Sequence, residues 1–228
     1  MIFNHVKLPE LDFELEAKTT EKGRVYYTPS GKAYPSVTTV LGALSKEGIE
    51  AWRKKIGEEE ANKISGRASR RGEALHLACE KYLLNEMDFK MKQKLMPNIK
   101  ELFLQLQPYL DTNIGDIYSI EQPLYSDNLK IAGRVDCIAE WDNEIAVIDF
   151  KTSTKEKLEG YIQNYFQQCT CYAEMFEEIT GKPIDRIVVV IAVEDGQSQV
   201  FVRSKKAYLP PLKQIISNYY LTKQPIIV

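Results

Sequence analysis

The sequence predicts a domain of the α/β class, and three observations lead to this prediction. Residues 133–141 alternate between polar and apolar positions, and the run 145–150, which follows a tight turn, is nearly all apolar. The first pattern is typical of a strand with one polar face, and the second is typical of a strand buried on both faces. Residues 187–193 form another dense apolar strand, whereas 91–111 and 158–180 carry apolar side chains at helical spacing.

The composition is that of an ordinary globular chain. Its 228 residues, 44% of them hydrophobic and 27% charged, are enough for one well-packed domain. We expect residues 1–22 to form an extended or partly flexible lead-in and residues 23–228 to form that single domain. Within it, the helical part covers about 36–111, and the sheet with its helices covers about 116–222.

Net charge and the terminal sequence limit the classes of protein to be considered. A formal net charge of −2 excludes a uniformly basic surface that coats nucleic acid, so any nucleic acid would be held locally. No apolar run approaches the roughly 18 residues of a membrane span. Residues 1–16 lack a charged segment followed by an apolar one, which predicts no signal or transit peptide. We therefore expect no membrane partner and a cytoplasmic protein of a bacterial or phage-infected cell.

The N-terminal part is predicted to begin with a hairpin and to continue as helices. Residues 24–34 indicate a hairpin whose turn uses Gly31, a residue that adopts positive φ without strain. Ser36 is the predicted N-cap of a short helix. Two further helices are predicted over about 47–64 and 69–84.

The segment 52–71 is locally basic, with seven Lys or Arg residues against three glutamates. One interpretation is a groove that binds the phosphates of a nucleic acid. The other is a solvated helix face of mixed charge, and charge alone leaves both open.

Beyond residue 90, the predicted elements are scaffold helices and further strands. Helix 91–111 presents an apolar stripe, and a strand over 116–127 places Glu121 near its middle. The apolar stripe of helix 158–180 consists of Tyr161, Tyr165, Tyr172, Met175 and Ile179. Gln168 lies on that stripe, which makes its position informative, since burying an unpaired amide costs about 1–3 kcal/mol. The remaining elements are strands over 185–194 and 199–203 and a last helix over 205–221, with Pro210 and Pro211 at or near its start.

Acidic and basic side chains concentrate at the outer ends of the two central strands. Asp149 and Lys151 are two residues apart on one strand and therefore lie on one face. Pairing with the neighbouring strand would bring Asp136 near Asp149, which gives two carboxylates and an ammonium around one point. Carboxylate oxygens are the ligands that Mg²⁺ prefers, and a nearby lysine can orient a water or stabilise phosphate charge. A solvated strand end is the alternative that the residues alone leave open.

His76 is the candidate metal ligand outside the strands. It lies one helical turn from Glu80, so that their Cβ atoms are about 5–6 Å apart on one face. In that geometry the imidazole can bind a metal while the carboxylate orients it. A surface His–Glu pair is the alternative.

The cysteines give no sign of a metal site. The four stand at positions 79, 137, 169 and 171 and match no zinc spacing. Cys137 alternates into the predicted sheet interior, where it behaves as a small hydrophobic residue. We predict reduced thiols and no zinc.

A family resemblance rests on short runs of residues in these elements. The runs are Gly133-Arg134-Val135-Asp136 and Ile148-Asp149-Phe150-Lys151-Thr152-Ser153, which resemble the core of the PD-(D/E)xK nuclease superfamily. His76 on an upstream helix and Gln168-Cys-Thr-Cys-Tyr172 on the following helix match the RecB-like exonuclease branch. Over roughly residues 35–222 the chain looks most similar to the mitochondrial genome maintenance exonuclease group and its phage and bacterial relatives. The resemblance implies a restriction-endonuclease-like core, a central mixed sheet flanked by helices, with an N-terminal helical elaboration.

The resemblance also implies a metal site and a catalytic lysine. One or two Mg²⁺ or Mn²⁺ ions are expected on His76, Asp136, Asp149 and the backbone carbonyl of Phe150, with Glu121 as a further candidate. Lys151 would position the attacking water, and Gln168 and Tyr172 would support the site. Relatives with an iron–sulfur cluster carry three cysteines near the C-terminus. This chain has none after Cys171, so no cluster is expected.

The expected activity is metal-dependent exonuclease cleavage of DNA, with single strands that have a free end as the preferred substrate. The residues expected to contact DNA are Arg67, Arg70, Arg71, Arg134, Thr152 and Ser153. Replication or recombination proteins are expected as partners. Two alternatives stay open: a nucleic-acid-binding or recombination-accessory module that has lost its chemistry, and an endonuclease of the same fold.

Overall fold

A five-stranded mixed sheet forms the centre of the computed structural model, which describes residues 2–21 and 23–223. The strands are β1 Glu16–Thr20, β2 Gly23–Tyr27, β3 Ala33–Pro35, β4 Ile114–Ser126, β5 Ile131–Trp141, β6 Glu144–Ser153, β7 Arg186–Val193 and β8 Gln199–Ser204. The helices are α1 Val37–Ile56, α2 Glu58–Leu83, α3 Phe89–Lys94, α4 Pro97–Asn113, α5 Gln163–Thr180 and α6 Leu209–Lys223.

The central sheet has the order β4-β5-β6-β7-β8. Its neighbours pair antiparallel except β6 and β7, which pair in parallel from Ala146↔Arg186 to Ser153↔Val193. A parallel pair needs a crossover, and α5 supplies it. A separate antiparallel sheet is formed by β1, β2 and β3. The α/β class and the mixed central sheet predicted from the sequence are confirmed.

Each face of the central sheet is covered by a different set of helices. On one face α2 and α4 contribute Leu75, Leu83, Phe103 and Leu106 to a buried cluster. On the other face α1, α5 and α6 pack through a second cluster that contains Phe166. The central strands β6 and β7 are buried on both faces over most of their length, as the apolar run in β6 predicted.

The boundaries of the N-terminal helices differ from those predicted. The Ser36 side chain accepts a hydrogen bond from the Thr39 N–H and caps α1, as expected, but α1 continues to Ile56 instead of ending after a turn or two. Gly57, with φ of 87°, then breaks the chain direction, and α2 begins at Glu58 rather than near residue 69. One residue with positive φ decides the boundary, because a glycine adopts this conformation without a Cβ clash.

Two later predictions also needed correction. The predicted helix over 91–111 is two helices, because the chain is extended at Leu95 and Met96 before Pro97 opens α4. The predicted helix over 158–180 begins at Gln163, and Tyr161 lies in a short 3₁₀ turn, 81% exposed, instead of on the apolar stripe.

The lead-in is packed over its described part. Phe3, Leu11 and Leu15 are buried, and Val6 donates a backbone hydrogen bond to the Ile117 carbonyl of β4 at 2.8 Å. The described lead-in is extended, with β1 over residues 16–20, and three of its apolar side chains pack beside the sheet while most of its other residues are exposed. The division into a lead-in and one domain over 23–228 stays a prediction.

The cysteines and the helices bear on two further expectations. All four cysteines are free thiols and buried, and Cys137 lies inside the sheet, as predicted. Within residues 2–21 and 23–223, no helix combines the length and the apolar character that crossing a bilayer requires.

Candidate active site

The candidate site lies where β5 and β6 separate. Their ladder runs from Trp141↔Glu144 to Cys137↔Ile148. Beyond that pair, the Phe150 N–H donates to Asp136 Oδ2 at 2.9 Å, so that a side chain takes the place of a strand carbonyl. A carboxylate that accepts a backbone N–H is held firmly in one orientation.

Asp149 and Lys151 face the same opening. Lys151 Nζ lies 2.6 Å from both carboxylate oxygens of Asp149 and donates a hydrogen bond to Oδ1. Asp149 Oδ2 is buried and accepts no hydrogen bond from any described residue. The Lys151 ammonium, 2.6 Å away, nevertheless supplies positive charge to this buried oxygen.

His76 and Glu121 complete the group. His76 on α2 places Nδ1 3.4 Å from Asp136 Oδ2. One ligand atom each from His76, Glu121 and Asp136 lies within 4.8 Å of the other two. Glu121 has φ of 49° in the middle of β4, and Arg134 donates to its backbone carbonyl at 2.6 Å. Arg134 therefore holds this part of β4 in place.

The group opens into a cleft of about 430 Å³. The cleft is lined by Gly72, Glu73, His76, Leu77, Glu80 and Glu121. The aspartates lie deeper, since Asp136 is 8% exposed and Asp149 is 2% exposed. Solvent and substrate therefore reach the group from the α2 side.

The pKa values of the two aspartates are shifted in opposite directions. Burial raises the pKa of Asp149 to about 6, with Lys151 opposing the rise and the negative charge of Asp136 adding to it. Burial also disfavours the charged form of Asp136, but His76, Lys151 and the Phe150 N–H outweigh it, and the pKa of Asp136 is lowered. Two buried carboxylates that share one space do not ionise equally.

The surrounding groups respond to the same negative charge. Burial lowers the pKa of His76, but Asp136 raises it more strongly, and the net pKa is about 9. Burial and the Asp136 carboxylate raise the pKa of Glu121 to about 7. Burial also opposes the charge of Lys151, whose pKa is nevertheless raised by Asp149 and Asp136. The protonated forms of His76, Glu121 and Lys151 are thus favoured in this opening.

The donor atoms fit a divalent cation. Carboxylate oxygens with one imidazole suit Mg²⁺ or Mn²⁺, and the Asp149 carboxylate, which pairs with Lys151, supplies further acceptor oxygens close by. The structure brings His76, Glu121 and Asp136 together within one small radius. Asp149 pairs with Lys151 at the edge of this group, and the ligand role of the Phe150 carbonyl stays a prediction.

Tyr172 connects the two motifs that were found separately in the sequence. A Cβ on Gly133 would lie 2.9 Å from both Cε1 and Oη of Tyr172, so the glycine leaves the space that this ring occupies. Tyr172 is buried, and burial together with the nearby Asp136 and Asp149 raises its pKa well above the usual value. Gln168, one turn earlier on α5, is half-buried. The Gly133 and Tyr172 motifs are therefore two sides of one contact.

The expected DNA contacts divide into available and unavailable side chains. Arg70 is exposed, and Arg67 is exposed although it lies 3.2 Å from Glu194. Arg71 is buried and pairs with Glu194, and its Nη1 donates to Thr154 Oγ1 at 3.2 Å. The expectation that Arg71 contacts phosphate is corrected, because its charge is already used inside the protein.

The two hydroxyl side chains that were expected to contact DNA differ in their accessibility. Ser153 is buried, and its Oγ donates to the Lys155 carbonyl at 2.5 Å, so it is not available to DNA. Thr152 is half-buried, and its Oγ1 lies next to the backbone of Gly72 on α2. The contact of Thr152 with DNA stays a prediction.

Sequence reasoning missed Glu194, which anchors α2 to the sheet. It follows β7, and its backbone N–H donates to the Ser153 carbonyl at 2.9 Å. Since β6 and β7 are parallel, their last residues lie at one edge of the sheet. An acidic residue at the end of a buried strand was the available signal, but Glu194 was interpreted only as the last residue of the predicted strand over 185–194.

The opened strand pair, with its two aspartates and a lysine, defines a nuclease core. Residues 26–218 match the PD-(D/E)XK nuclease superfamily, and the chain belongs to that superfamily. The family and the fold predicted from the sequence are therefore confirmed. PD-(D/E)XK nucleases use divalent metal ions, which agrees with the donor atoms that His76, Glu121 and Asp136 bring together.

The chain is similar to named proteins of two groups. The chain is 29% identical over 208 residues to "Mitochondrial genome maintenance exonuclease 1" of Xenopus tropicalis, covering 85% of this chain and 58% of that protein. The protein of that name from Homo sapiens is 25% identical over 175 residues, covering 71% of this chain and 50% of that protein. An ATP-dependent helicase/nuclease protein of Clostridioides difficile (strain 630) is 28% identical over 114 residues, covering 45% of this chain and 9% of that protein. The chain thus spans about half the length of the mitochondrial relatives.

Proposed function

We propose that this protein is a Mg²⁺- or Mn²⁺-dependent deoxyribonuclease that hydrolyses single-stranded DNA from a free end. The observation that carries the proposal is the convergence of His76, Glu121 and Asp136 beside the Asp149–Lys151 pair. The exonuclease names of the relatives support the same activity.

The metal would be held by His76, Glu121, Asp136 and Asp149, with the Phe150 carbonyl as a further ligand. A divalent cation supplies charge neutralisation at the scissile phosphate and lowers the pKa of a water. Asp136 is kept ionised by its neighbours, so it provides the negative charge that attracts the cation. His76 binds as the neutral imidazole, because only the deprotonated nitrogen is a ligand.

Lys151 performs the step that needs a fixed positive charge. Its pKa is raised by Asp149 and Asp136, so it stays an ammonium that positions the attacking water and stabilises the pentavalent phosphate. Tyr172 and Gln168 support the strand that carries Asp136. Thr152, with the exposed Arg67 and Arg70, contacts the DNA backbone.

Cleavage of end-labelled single-stranded DNA tests the activity. With Mg²⁺ or Mn²⁺ we expect progressive shortening from one end, and with a chelator we expect intact substrate. Binding without any shortening in either metal would contradict the proposal and favour the non-catalytic nucleic-acid-binding module. A covalently closed single-stranded circle serves as the control, since an exonuclease leaves it intact and an endonuclease opens it.

The metal dependence is tested at the two histidines. His76→Ala should shift the Mg²⁺ titration of activity to at least about tenfold higher concentration, because a ligand has been lost. His5→Gln is the matched control, since His5 is exposed and contacts the carbonyl of Leu83, the last residue of α2, about two helical turns beyond His76. Equal titrations for wild type and His76→Ala would exclude His76 as a ligand.

A further inference from the structure

A second cleft, of about 250 Å³, lies beside the active-site cleft on the helical side of the molecule. It is formed by the second half of α2, by α3 with the loop before it, and by the start of α4. The lining residues are Ala74, Leu77, Ala78, Lys81, Met87, Met91, Lys94, Leu95, Met96 and Ile99. None of these residues has a role in the chemistry proposed above.

The cleft leaves apolar side chains in water. Leu77 is 54% exposed, Met91 is 41% exposed and Met96 is 57% exposed. Phe89, at the first position of α3, is 76% exposed. Single exposed apolar residues are ordinary, but several around one concave surface indicate a binding site. Methionine adapts its shape to varied ligands.

The rim of the cleft is basic in an otherwise slightly acidic chain. Lys81 and Lys94 belong to the lining. Lys81 also pairs with Glu86, but that pair is solvent-exposed and therefore weak, so a phosphate can replace it. Residues 81–100 contain five lysines and two acidic residues, whereas the whole chain has a net charge of −2. A ligand of this surface therefore combines flat or apolar groups with negative charge.

The two clefts adjoin at Leu77, which lines both of them and follows His76 directly on α2. Glu73 and Glu80 line the active-site cleft. Lys81 follows Glu80 directly on the same helix, and Lys94 is the last residue of α3. A strand with its phosphate at the metal group therefore reaches the lysines as it leaves across Leu77.

We propose that this cleft binds the unpaired bases of the strand that is being cleaved. The bases rest against Leu77, Met91 and Met96, while Lys81 and Lys94 pair with the adjoining phosphates. This inference rests on the proposed function and adds a reason for a single-strand preference. Bases enter an apolar cleft only when they are neither paired nor stacked within a duplex.

The phosphate contacts are tested by the salt dependence of binding. Fluorescence anisotropy of labelled oligothymidylate in chelator gives the dissociation constant without cleavage. For Lys81→Ala/Lys94→Ala we expect the slope of log K against log salt to fall by about 1.4, since each single-strand phosphate contact contributes about 0.7. Lys182→Ala/Lys206→Ala is the matched control, because these exposed lysines lie after α5 and before α6, the helices of the opposite sheet face.

The base contacts are tested by photocrosslinking. Oligothymidylate that carries one 5-iodouracil at successive positions should crosslink to peptides within 74–99, and most strongly to Met91 or Met96. Crosslinks confined to 52–71, or lysine variants that keep the wild-type salt slope, would overturn the proposal. If the Lys81→Ala/Lys94→Ala variant binds and cleaves DNA like the wild type, the proposal is wrong and the cleft serves another ligand, such as an acidic protein segment. Cleavage by the wild type is measured in the same series. If the wild type cleaves DNA but the lysine variant is unaffected, only the role of the cleft is contradicted. If the wild type does not cleave DNA, the proposed function itself is contradicted.

Discussion

The two ends of the β5–β6 pair differ in almost every property. At the turn end, Trp141, Ala146 and Val147 are buried, and the ladder is regular from Trp141↔Glu144 onward. At the other end, the ladder stops after Cys137↔Ile148 and a carboxylate takes over its hydrogen bonding. One end is therefore built for stability, and the other end is built to hold charge.

The difference shows how the site is made from ordinary strands. Past the last pair, β5 continues to pair with β4 as far as Ile131, while β6 continues with β7 as far as Ser153. Each strand keeps one neighbour, so the space between them opens without loss of the sheet. Asp136, Asp149 and Lys151 occupy this space, because the outer neighbours fix their backbones.

Removing a carboxylate from the open end should give the largest effect. Asp149→Asn removes a metal ligand and the partner of Lys151, and we expect cleavage to fall by about 1,000-fold or more, equivalent to about 4 kcal/mol. Asp142→Asn, in the turn that joins the same strands, is the control, because asparagine also adopts its positive φ of 52°. Initial rates on end-labelled DNA with saturating Mg²⁺ measure the effect. Full activity of Asp149→Asn would remove the assigned site.

Truncating a buried side chain at the turn end of the β5–β6 pair should lower stability and leave activity unchanged. Trp141 is 1% exposed, and Trp141→Ala should lower the free energy of unfolding by about 3–5 kcal/mol, since it leaves a cavity. Urea denaturation followed by circular dichroism measures the loss. Activity per folded molecule should stay near that of the wild type, and a loss of activity in the folded fraction would show that the two ends are coupled.

A methyl group between the two motifs should give the smallest effect. Gly133→Ala places a Cβ 2.9 Å from the Tyr172 ring, and we expect about 1–3 kcal/mol of destabilisation from overpacking. Gly48→Ala on α1 is the control, because its Cβ would have no neighbour within 4 Å and should be neutral or stabilise by about 0.5–1 kcal/mol.

A double variant sharpens this test. If the contact carries the cost, Gly133→Ala with Tyr172→Ala should be less destabilised than the sum of the two single variants. Thermal unfolding of the four proteins in the cycle gives the coupling. Additive changes would mean that Tyr172 and Gly133 do not act through one another.

Local patterns predicted those features that depend on residues close together in the chain. The turn at Gly31, the cap at Ser36 and the shared face of Asp149 and Lys151 follow from spacing and backbone preference alone. The inward position of Cys137 follows from strand alternation. These predictions needed no knowledge of the partner elements.

Features decided by distant residues could not be predicted in the same way. Arg71 belongs to a basic segment, and nothing in that segment shows that Glu194, 123 positions later, neutralises it in the interior. The helix boundary at Gly57 was missed for a different reason: lysines before it and glutamates after it are equally good helix formers. A single glycine then outweighs the flanking preferences.

The contact between residue 6 and residue 117 has a consequence for biosynthesis. At an elongation rate of about 5–20 residues per second, the first strand-forming residues wait roughly 5–20 s for β4 to be made. During that interval Phe3, Leu11 and Leu15, all buried in the finished protein, remain in contact with water or with a chaperone. Residues 3–15 are thus held in place only after β4 has left the ribosome.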